Sequence, residues 1–231
     1  MKAKNWVLMV LLLLFLLVPA INAHAGPLPD TGQAKCYNNS AEMTPCPAPG
    51  EAFYGQDGNY NINPPSYTKL DATGNALADN AASWAMIRDN VTGLIWENKT
   101  SDGSIHDGAK SFTWCDTNTA TNGGYQGTCG TGTGNAATDT AAFVKALNDA
   151  KFGGFPDWRR PTVKELTTIL DRSRYYPSFN ATWFPNTASS NYWSSTTTYN
   201  EYAWSVDFGY GNVVSYYKTY AFVVRAVRGG Q

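Results

Sequence analysis

The sequence has few histidines, and this scarcity limits the chemistry that it can support. Only two of its 231 residues are histidine, and His106 is the one that follows residue 25. A metal site built on several histidines is therefore excluded beyond that point. A Ser-His-Asp triad would depend on His106, and the chain has no GxSxG motif to carry the serine. We expect no catalytic residue, and we expect His106 to lie in an exposed loop.

Cysteine is also scarce, and its spacing is not that of a zinc site. The four cysteines are Cys36, Cys46, Cys115 and Cys129, with no CxxC spacing and no histidine pair nearby. We therefore expect neither metal nor cofactor. In an oxidising compartment the four can pair in three ways. Local pairing, Cys36 with Cys46 and Cys115 with Cys129, is the simplest, because each pair spans a short polar stretch with little core of its own.

Long hydrophobic runs are confined to the start of the chain. Lys2 and Lys4 precede an apolar run over residues 7–18, and Ala23-His24-Ala25 follows as a small-x-small cleavage signal. This pattern predicts a signal peptide over residues 1–25 and export to the periplasm or the extracellular space. Because no second run of spanning length follows, we expect no stable membrane span after processing.

Charge is sparse and nearly balanced. Charged residues make up 15% of the chain, and removing the two lysines of the signal peptide leaves 15 basic and 18 acidic residues, a formal net charge of −3. This balance excludes a typical nucleic-acid-binding protein. Tryptophan, tyrosine, glycine, asparagine and threonine are abundant instead, a composition typical of a loop-rich extracytoplasmic domain. We divide the exported chain into an irregular, disulfide-stapled arm over residues 26–83 and one domain over residues 84–231.

The segment from Gly154 to Leu166 carries the clearest structural signal. Pro161 precedes Thr162, and Glu165 follows three residues later, which together predict a helix start with a capping box. Leu166, Ile169 and Leu170 then form an apolar stripe at helical spacing. Trp158, just before the helix, is predicted to fill the core.

The remaining elements predict an α+β fold. A first helix is predicted after a cap at Thr138 or Thr140, and it ends at Gly153-Gly154. Strands are predicted over residues 84–88, 94–97, 191–196, 201–208, 213–217 and 220–228, with a hairpin turn at 209–212. The fold class is thus α+β, a single domain with two helices and an antiparallel C-terminal sheet.

Two sets of side chains are candidates for ligand binding. The first is basic and lies around the second helix, where guanidinium groups can meet sulfate or carboxylate; its members are Arg160, Lys164, Arg172 and Arg174. The second is aromatic and resembles the tyrosine-rich mixture of antibody paratopes; its members are Tyr199, Tyr202, Tyr210, Tyr216 and Tyr217.

Other large side chains are assigned structural roles. Arg159 and Arg225 are expected to pair internally with carboxylates, which leaves the other cations of this region on a solvated face. The residues expected to build the core or support it are Trp96, Trp158, Trp193, Trp204, Phe208, Phe222 and Arg225.

Five ordered motifs resemble a known family, the Lcl C-terminal domain family, named for the C-terminal domain of the Legionella collagen-like adhesin. The motifs lie at 89–97 (DNVTGLIWE), 157–166 (DWRRPTVKEL), 192–196 (YWSST), 203–206 (AWSV) and 224–228 (VRAVR). The chain departs from that pattern at Arg160, where relatives commonly have leucine, and at Ala226, where many have cysteine.

The resemblance implies a fold akin to C-type lectins and the formylglycine-generating enzyme, in a secreted domain used for adhesion. It implies binding of sulfated polysaccharide without catalysis, and it allows a homo-oligomer. No cysteine follows Cys129, so the cysteine-dependent oxidation performed by enzymes of that fold cannot be carried over. The expected partner is an extracellular polysaccharide or cell-surface ligand.

Two alternatives to polysaccharide binding stay open. The first is a protein-binding or retroelement-diversified recognition module that uses the tyrosine-rich C-terminal face. The second is a carboxylate-based hydrolase, because eighteen acidic residues allow some pair to lie close in space.

Overall fold

The computed structural model describes residues 27–130 and 132–229. The predicted signal peptide, residues 1–25, lies outside the described residues. In the part that is described, thirteen strands and α-helices follow one another along the chain: β1 Cys36–Tyr37, β2 Glu42–Met43, β3 Tyr67–Leu70, β4 Met86–Asp89, β5 Ile95–Glu97, β6 Phe112–Thr113, α1 Thr140–Asp149, α2 Val163–Thr168, β7 Asn191–Thr197, β8 Tyr202–Asp207, β9 Val213–Tyr217, β10 Ala221–Phe222 and β11 Val227–Arg228. Short 3-10 turns cover Asp57–Asn59, Gly134–Ala136 and Phe152–Gly154.

Two antiparallel sheets form the frame. One has the strand order β11-β5-β4-β3, and the other has the order β7-β8-β9. Two small pairs, β1-β2 and β10-β6, complete the strand pairing of the described residues. The class is therefore α+β, as predicted, and β structure predominates in it. β3 comes from the segment assigned to the arm, yet it pairs with β4 along its full length, so the arm contributes the edge strand of a central sheet.

The C-terminal strand prediction was wrong in one respect. Residues 220–228 were expected to form one strand of a C-terminal meander, but β10 pairs with β6 and β11 pairs with β5. Val223, Val224, Arg225 and Ala226 lie between these strands and are buried. Val224 and Ala226 pack in one of the two hydrophobic clusters of the core, and Val223 packs in the other. The chain therefore passes through the core between β10 and β11.

The helix starts follow from local sequence. At α2, Thr162 caps the helix and exchanges hydrogen bonds with Glu165, which confirms the predicted capping box. At α1 the prediction of Thr138 or Thr140 as the cap was wrong, because the Asp139 carboxylate accepts the amide hydrogens of Ala141 and Ala142. Thr140 is instead the first residue of the helix.

Two hydrophobic clusters form the core, one against each helix. The α1 cluster contains Trp114, Phe143, Trp158 and Trp193. The α2 cluster contains Trp96, Leu166, Ile169, Leu170 and Phe208. Trp96, Trp158 and Trp193 are thus buried, as predicted. Full burial of a large apolar side chain is worth about 1.5–3 kcal/mol, so these residues contribute strongly to stability.

Trp204 does not belong to that core, contrary to prediction. It is partly exposed, whereas its neighbours Ala203 and Ser205 are buried. Trp204 lies opposite Ser215 on β9, on the same face as the pair Tyr202 and Tyr217. Large and small residues do alternate along this strand, but the small residues Ala203 and Ser205 lie on its buried face and Trp204 lies on its more exposed face. Phe222, also assigned to the core, is only partly buried.

A cluster of charges lies inside the fold at the end of β5. The carboxylate of Glu97 is fully buried and accepts hydrogen bonds from Lys99 Nζ at 3.0 Å and the Ala226 amide at 3.0 Å, with His106 Nδ1 at 2.8 Å. Burial alone would raise the pKa of Glu97, but Lys99 and His106 hold it below its usual range. His106 therefore is not an exposed loop residue, since it is 20% exposed and held by Glu97.

Arg225 reaches the same cluster without meeting a carboxylate. Its guanidinium donates to the Glu97 backbone carbonyl at 2.5 Å and to Thr187 Oγ1 at 2.5 Å. The predicted carboxylate pairing was wrong for Arg225, whereas Arg159 forms a two-bond ion pair with Glu165 at 2.8 and 2.6 Å.

Candidate functional site

A cleft lies where α1, the loop after β6, the start of α2 and the end of β7 meet. Its volume is about 820 Å³. The residues that line it are mostly hydroxyl and amide side chains with a few charges: Cys115, Asp116, Thr117, Asn118, Thr121, Ala141, Val144, Lys145, Asn148, Arg159, Arg160, Thr162, Ser195, Thr196 and Thr197. We refer to this space as the polar cleft.

Hydrogen bonds between its walls fix the shape of the polar cleft. Thr140 Oγ1 bonds both the amide and the carbonyl of Cys115 at 3.0 Å, which joins the loop to α1. The Asn148 side chain bonds the backbone amide and carbonyl of Trp158, which joins α1 to the segment before α2. On the far wall the Ser195 amide donates to the Pro161 carbonyl at 2.7 Å. The cleft is thus preformed rather than assembled by a ligand.

The ring of Trp114 packs against two cations, one of which, Arg160, lines the polar cleft. The Arg160 guanidinium lies 4.5 Å from the centre of the Trp114 ring, and Lys218 Nζ lies 4.4 Å from it. Arg160 also pairs with Asp116 at 2.9 Å. Burial lowers the pKa of Arg160, and Asp116 opposes that effect. The guanidinium therefore stays charged and ion-paired with Asp116.

Lys218 holds the loop wall in place. Its ammonium is buried and donates to three backbone carbonyls, those of Asn122 and Tyr125 at 2.7 Å and that of Asn200. The first two belong to the loop after Cys115, and the third belongs to the turn between β7 and β8. Burial lowers the pKa of Lys218. One lysine therefore joins two loops that are distant in sequence.

A disulfide completes this wall. Cys115 and Cys129 are bonded, as are Cys36 and Cys46, which confirms both predicted pairs. The loop closed by Cys115 and Cys129 approaches Trp114 so closely that a Cβ on Gly127 would lie 2.2 Å from the Trp114 carbonyl oxygen. Gly127 also has a φ of +81°, so glycine is required there.

The predicted basic surface is divided by the structure. Arg160 lines the polar cleft, whereas Lys164 and Arg172 line a second cavity of about 460 Å³ between α2 and residues 28–31. Arg174 is exposed and pairs with Asp171 at 2.7 Å. The four cations therefore do not form one surface.

The predicted aromatic face is also divided. Tyr199, Tyr202, Tyr216, Tyr217 and Tyr220 form a series of neighbouring rings with centroid distances of 4.1 to 6.1 Å. We call this series the tyrosine ladder. Tyr210 lies apart from it, at the β8-β9 hairpin, where it contacts Tyr175 and Tyr176. Sequence reasoning missed these two, because their contact with the hairpin is not local.

Several cleft residues were also missed. Asp116 and Asn118 lie in a segment without a recognisable motif, and Ser195 lies in the 192–196 motif but was not singled out as a site residue. Lys218, which supports the loop without lining the cleft, was one unremarked cation near a strand end. Among residues 27–130 and 132–229, no group of three or more histidine, cysteine, aspartate or glutamate side chains is arranged to hold a metal ion. Within the same ranges, no helix is long and apolar enough to cross a membrane.

Fold and cleft together define a small disulfide-bonded α+β domain with a preformed polar cleft. The family profile described as the Lcl C-terminal domain matches residues 85–228. The chain belongs to the Lcl C-terminal domain family. No curated protein sequence matches the chain.

Proposed function

We propose that the chain is an exported, non-catalytic domain that binds a polysaccharide in the polar cleft. The observation that supports this proposal is a cleft of about 820 Å³ lined by hydroxyl and amide side chains, with its charges held in ion pairs. Ligand pockets commonly have volumes of roughly 300–1,000 Å³, so the space suits a few sugar rings of a longer chain.

The unused hydrogen-bonding groups of the cleft match sugar hydroxyls. The side-chain hydroxyls of Thr117, Ser195 and Thr197 make no hydrogen bond to other described residues, and neither does the amide nitrogen of Asn118. A hydroxyl group both donates and accepts. A ligand rich in hydroxyl groups can therefore satisfy these positions in either direction.

The charges of the lining favour hydroxyl-mediated over sulfate-mediated binding. Arg160 pairs with Asp116, Arg159 with Glu165 and Lys145 with Asp149. A sulfate group would have to compete with a carboxylate for each cation. We therefore expect glycan affinity to depend weakly on salt.

The carboxylates of the cleft do not support hydrolysis. Among its described lining residues Asp116 is the one acid, and it is held by Arg160 at 2.9 Å. Glycoside hydrolysis needs an acid and a second carboxylate roughly 5–9.5 Å apart. Ser195 has no histidine beside it among these lining residues. Binding without turnover is the function that fits these residues.

The finer fold assignment and the location belong to the same proposal. The family supports a domain like C-type lectins and the formylglycine-generating enzyme, and it is compatible with assembly as a homo-oligomer. The two disulfides support export to the periplasm or the extracellular space, where such bonds persist.

A binding screen tests the proposal with one cleft variant and one control. The exported chain is screened against neutral, uronic and sulfated polysaccharides at low and moderate salt. Thr117→Trp places a large ring in the cleft, whereas Thr119→Trp changes another exposed residue outside its lining. We expect binding to at least one polysaccharide, lost at least tenfold in Thr117→Trp and retained in Thr119→Trp. No binding to any polysaccharide, or equal binding by both variants, would refute the proposal.

The tyrosine ladder supports a second candidate, protein recognition. Tyr199, Tyr217 and Tyr220 are exposed, and tyrosine-rich surfaces are typical of adaptable protein contacts. If the ladder recognises a protein, Tyr199→Ala with Tyr217→Ala will abolish capture of that protein and leave polysaccharide binding unchanged.

A further inference from the structure

We propose that Tyr175, Tyr176 and Tyr210 form a second binding site, which takes an uncharged saccharide ring by stacking. We call these three residues the tyrosine platform. The ring of Tyr210 lies 5.5 Å from that of Tyr175 and 5.1 Å from that of Tyr176, with interplanar angles of 56° and 43°. The residues are 77%, 56% and 51% exposed for Tyr175, Tyr176 and Tyr210. Tyr210 thus lies next to both of the other rings, and all three rings are open to solvent.

The backbone beneath the platform is held by hydrogen bonds. The Tyr176 amide donates to the Gly209 carbonyl at 3.1 Å, and the Ser178 amide donates to the Phe208 carbonyl at 2.9 Å. The Arg172 guanidinium donates to the Gly211 carbonyl at 2.5 Å. These contacts join the loop before β7 to both sides of the hairpin turn. The backbone that carries the three rings is therefore held before a ligand binds, which lowers the ordering entropy that binding would cost.

The fold itself does not explain three exposed rings at this place. The core beneath the hairpin is filled by Phe208 and Phe179, which pack against each other at 6.2 Å. None of the platform hydroxyls forms a hydrogen bond with another described residue, although backbone and hydroxyl groups around them are bonded. The outer faces and hydroxyl groups of all three tyrosines thus remain free for a ligand.

The size of the platform favours a small ligand over a protein surface. With 150–250 Å² for each tyrosine, the exposed parts amount to roughly 300–450 Å², whereas a stable protein interface buries about 800 Å² on each partner. The tyrosine ladder cannot extend the platform, since it starts at the opposite end of the β8-β9 pair. One or two sugar rings match the area that is present.

The surrounding charges favour a neutral ring. Arg174 pairs with Asp171 at 2.7 Å, and Arg172 is engaged with the Gly211 carbonyl. Asp207 accepts the Gly209 amide at 2.7 Å. Two cations are thus balanced by two carboxylates. No excess charge of these residues attracts sulfate or carboxylate, so contact between C–H groups of a sugar and the ring faces is the main attraction.

This inference goes beyond the polar cleft, because the platform shares no residue with the cleft lining. A single polysaccharide that reached both sites would gain avidity without any new contact. Binding at the platform does not require binding at the cleft. The two proposals can therefore fail separately.

The test follows the aromatic signals of tyrosine in the full exported chain by nuclear magnetic resonance. The probes are neutral hexasaccharides from glucan, mannan and galactan, added up to several millimolar. We expect at least one to shift the platform signals, and we expect Tyr175→Ala or Tyr210→Ala to weaken that binding roughly three- to tenfold. Tyr210→Phe should retain it, because the ring face remains. The matched control is Tyr54→Ala, since Tyr54 is 41% exposed on the arm.

Each contrary outcome identifies a different failure. If none of the hexasaccharides shifts the platform signals, or if the alanine variants bind as tightly as the unchanged chain, the platform is not a saccharide site. If Tyr210→Ala instead abolishes self-association measured by sedimentation, the platform is a protein contact and the proposal is wrong. Platform binding that persists in Thr117→Trp supports the platform even where the cleft proposal has failed.

Discussion

Removing the charge of Glu97 is expected to destabilise the fold more than any surface substitution. In Glu97→Gln the ammonium of Lys99, which is fully buried 3.0 Å from this carboxylate, loses its counter-charge. Breaking a buried ion pair by changing one partner typically costs about 3–5 kcal/mol. For a domain of this size each kcal/mol lowers the melting temperature by roughly 2–4 °C. We therefore expect the melting temperature of Glu97→Gln to be roughly 6–20 °C below that of the unchanged chain.

A double variant separates the charge effect from lost hydrogen bonds. The amide oxygen introduced by Glu97→Gln can still accept a hydrogen bond from the Ala226 amide. Adding Lys99→Met removes the buried ammonium that Glu97→Gln leaves unpaired. The double variant should therefore recover most of the lost stability. The control is Glu42→Gln, which breaks the exposed pair with Lys35 and should cost at most about 1 kcal/mol.

Thermal unfolding gives the melting temperatures of all three variants, and urea unfolding gives their free energies of unfolding. Both are followed by tryptophan fluorescence with the disulfides intact. If Glu97→Gln unfolds within about 1 kcal/mol of the unchanged chain, the reasoning about the buried cluster is refuted. The same conclusion holds if the double variant is less stable than the single one.

Three further predictions concern the cleft wall and acid stability. Replacing Cys115 and Cys129 by serine should cost about 3 kcal/mol, because the loop closed has about 15 residues, and should weaken polysaccharide binding at the cleft. Lys218→Met should increase amide hydrogen exchange over residues 116–126, since the Asn122 and Tyr125 carbonyls of this segment lose their donor. Stability should fall on acidification. A hydrogen-bonded ion pair with Arg228 lowers the pKa of Asp157. Burial raises the pKa of Glu165, but Arg159 and the hydrogen bonds from Thr162 together hold it below its usual range. The stabilisation by these two carboxylates is complete above about pH 4.3 and is lost as pH falls through the lower folded-state values, which urea midpoints between about pH 5 and 2 will measure.

The disulfide and lysine predictions each have a matched control. Replacing Cys36 and Cys46 should leave cleft affinity unchanged, because that disulfide lies in the arm. Lys110→Met removes one bond, to the Asn135 carbonyl, and should leave exchange over 116–126 unchanged. Equal loss of affinity in both disulfide variants would contradict the first prediction. Equal exchange over residues 116–126 in both lysine variants would contradict the second. A urea midpoint that is constant down to about pH 2 would contradict the third.

Features encoded by neighbouring residues were predictable from the sequence. The capping box of Thr162 and Glu165 needs only two residues three positions apart. The disulfides close loops of 10 and 14 residues in sequence separation, so each partner was the nearest cysteine. The hairpin at 209–212 follows from its glycines. Family membership was predictable for a similar reason, because its five motifs are contiguous segments.

Features that depend on distant segments were not predictable. Trp114 is contacted by Arg160 and Lys218, and these residues come from three separate parts of the chain, so their cluster has no sequence signal. Arg172 looked like part of a basic helix surface, yet it bonds the Gly211 carbonyl of the hairpin. Trp204 was assigned to the core because of its size, but it lies on the more exposed face of β8. In each case tertiary packing overrides a correct local pattern.

The most direct test of the polysaccharide-binding proposal is a titration that locates the ligand on the protein. Backbone amide signals of the exported chain are followed during addition of an oligosaccharide cut from the tightest-binding polysaccharide of the screen. The proposal predicts saturable shifts at Thr117, Asn118 and Ser195, absent in Thr117→Trp. Shifts confined to the tyrosine ladder or the arm, with these three signals unmoved, would contradict it.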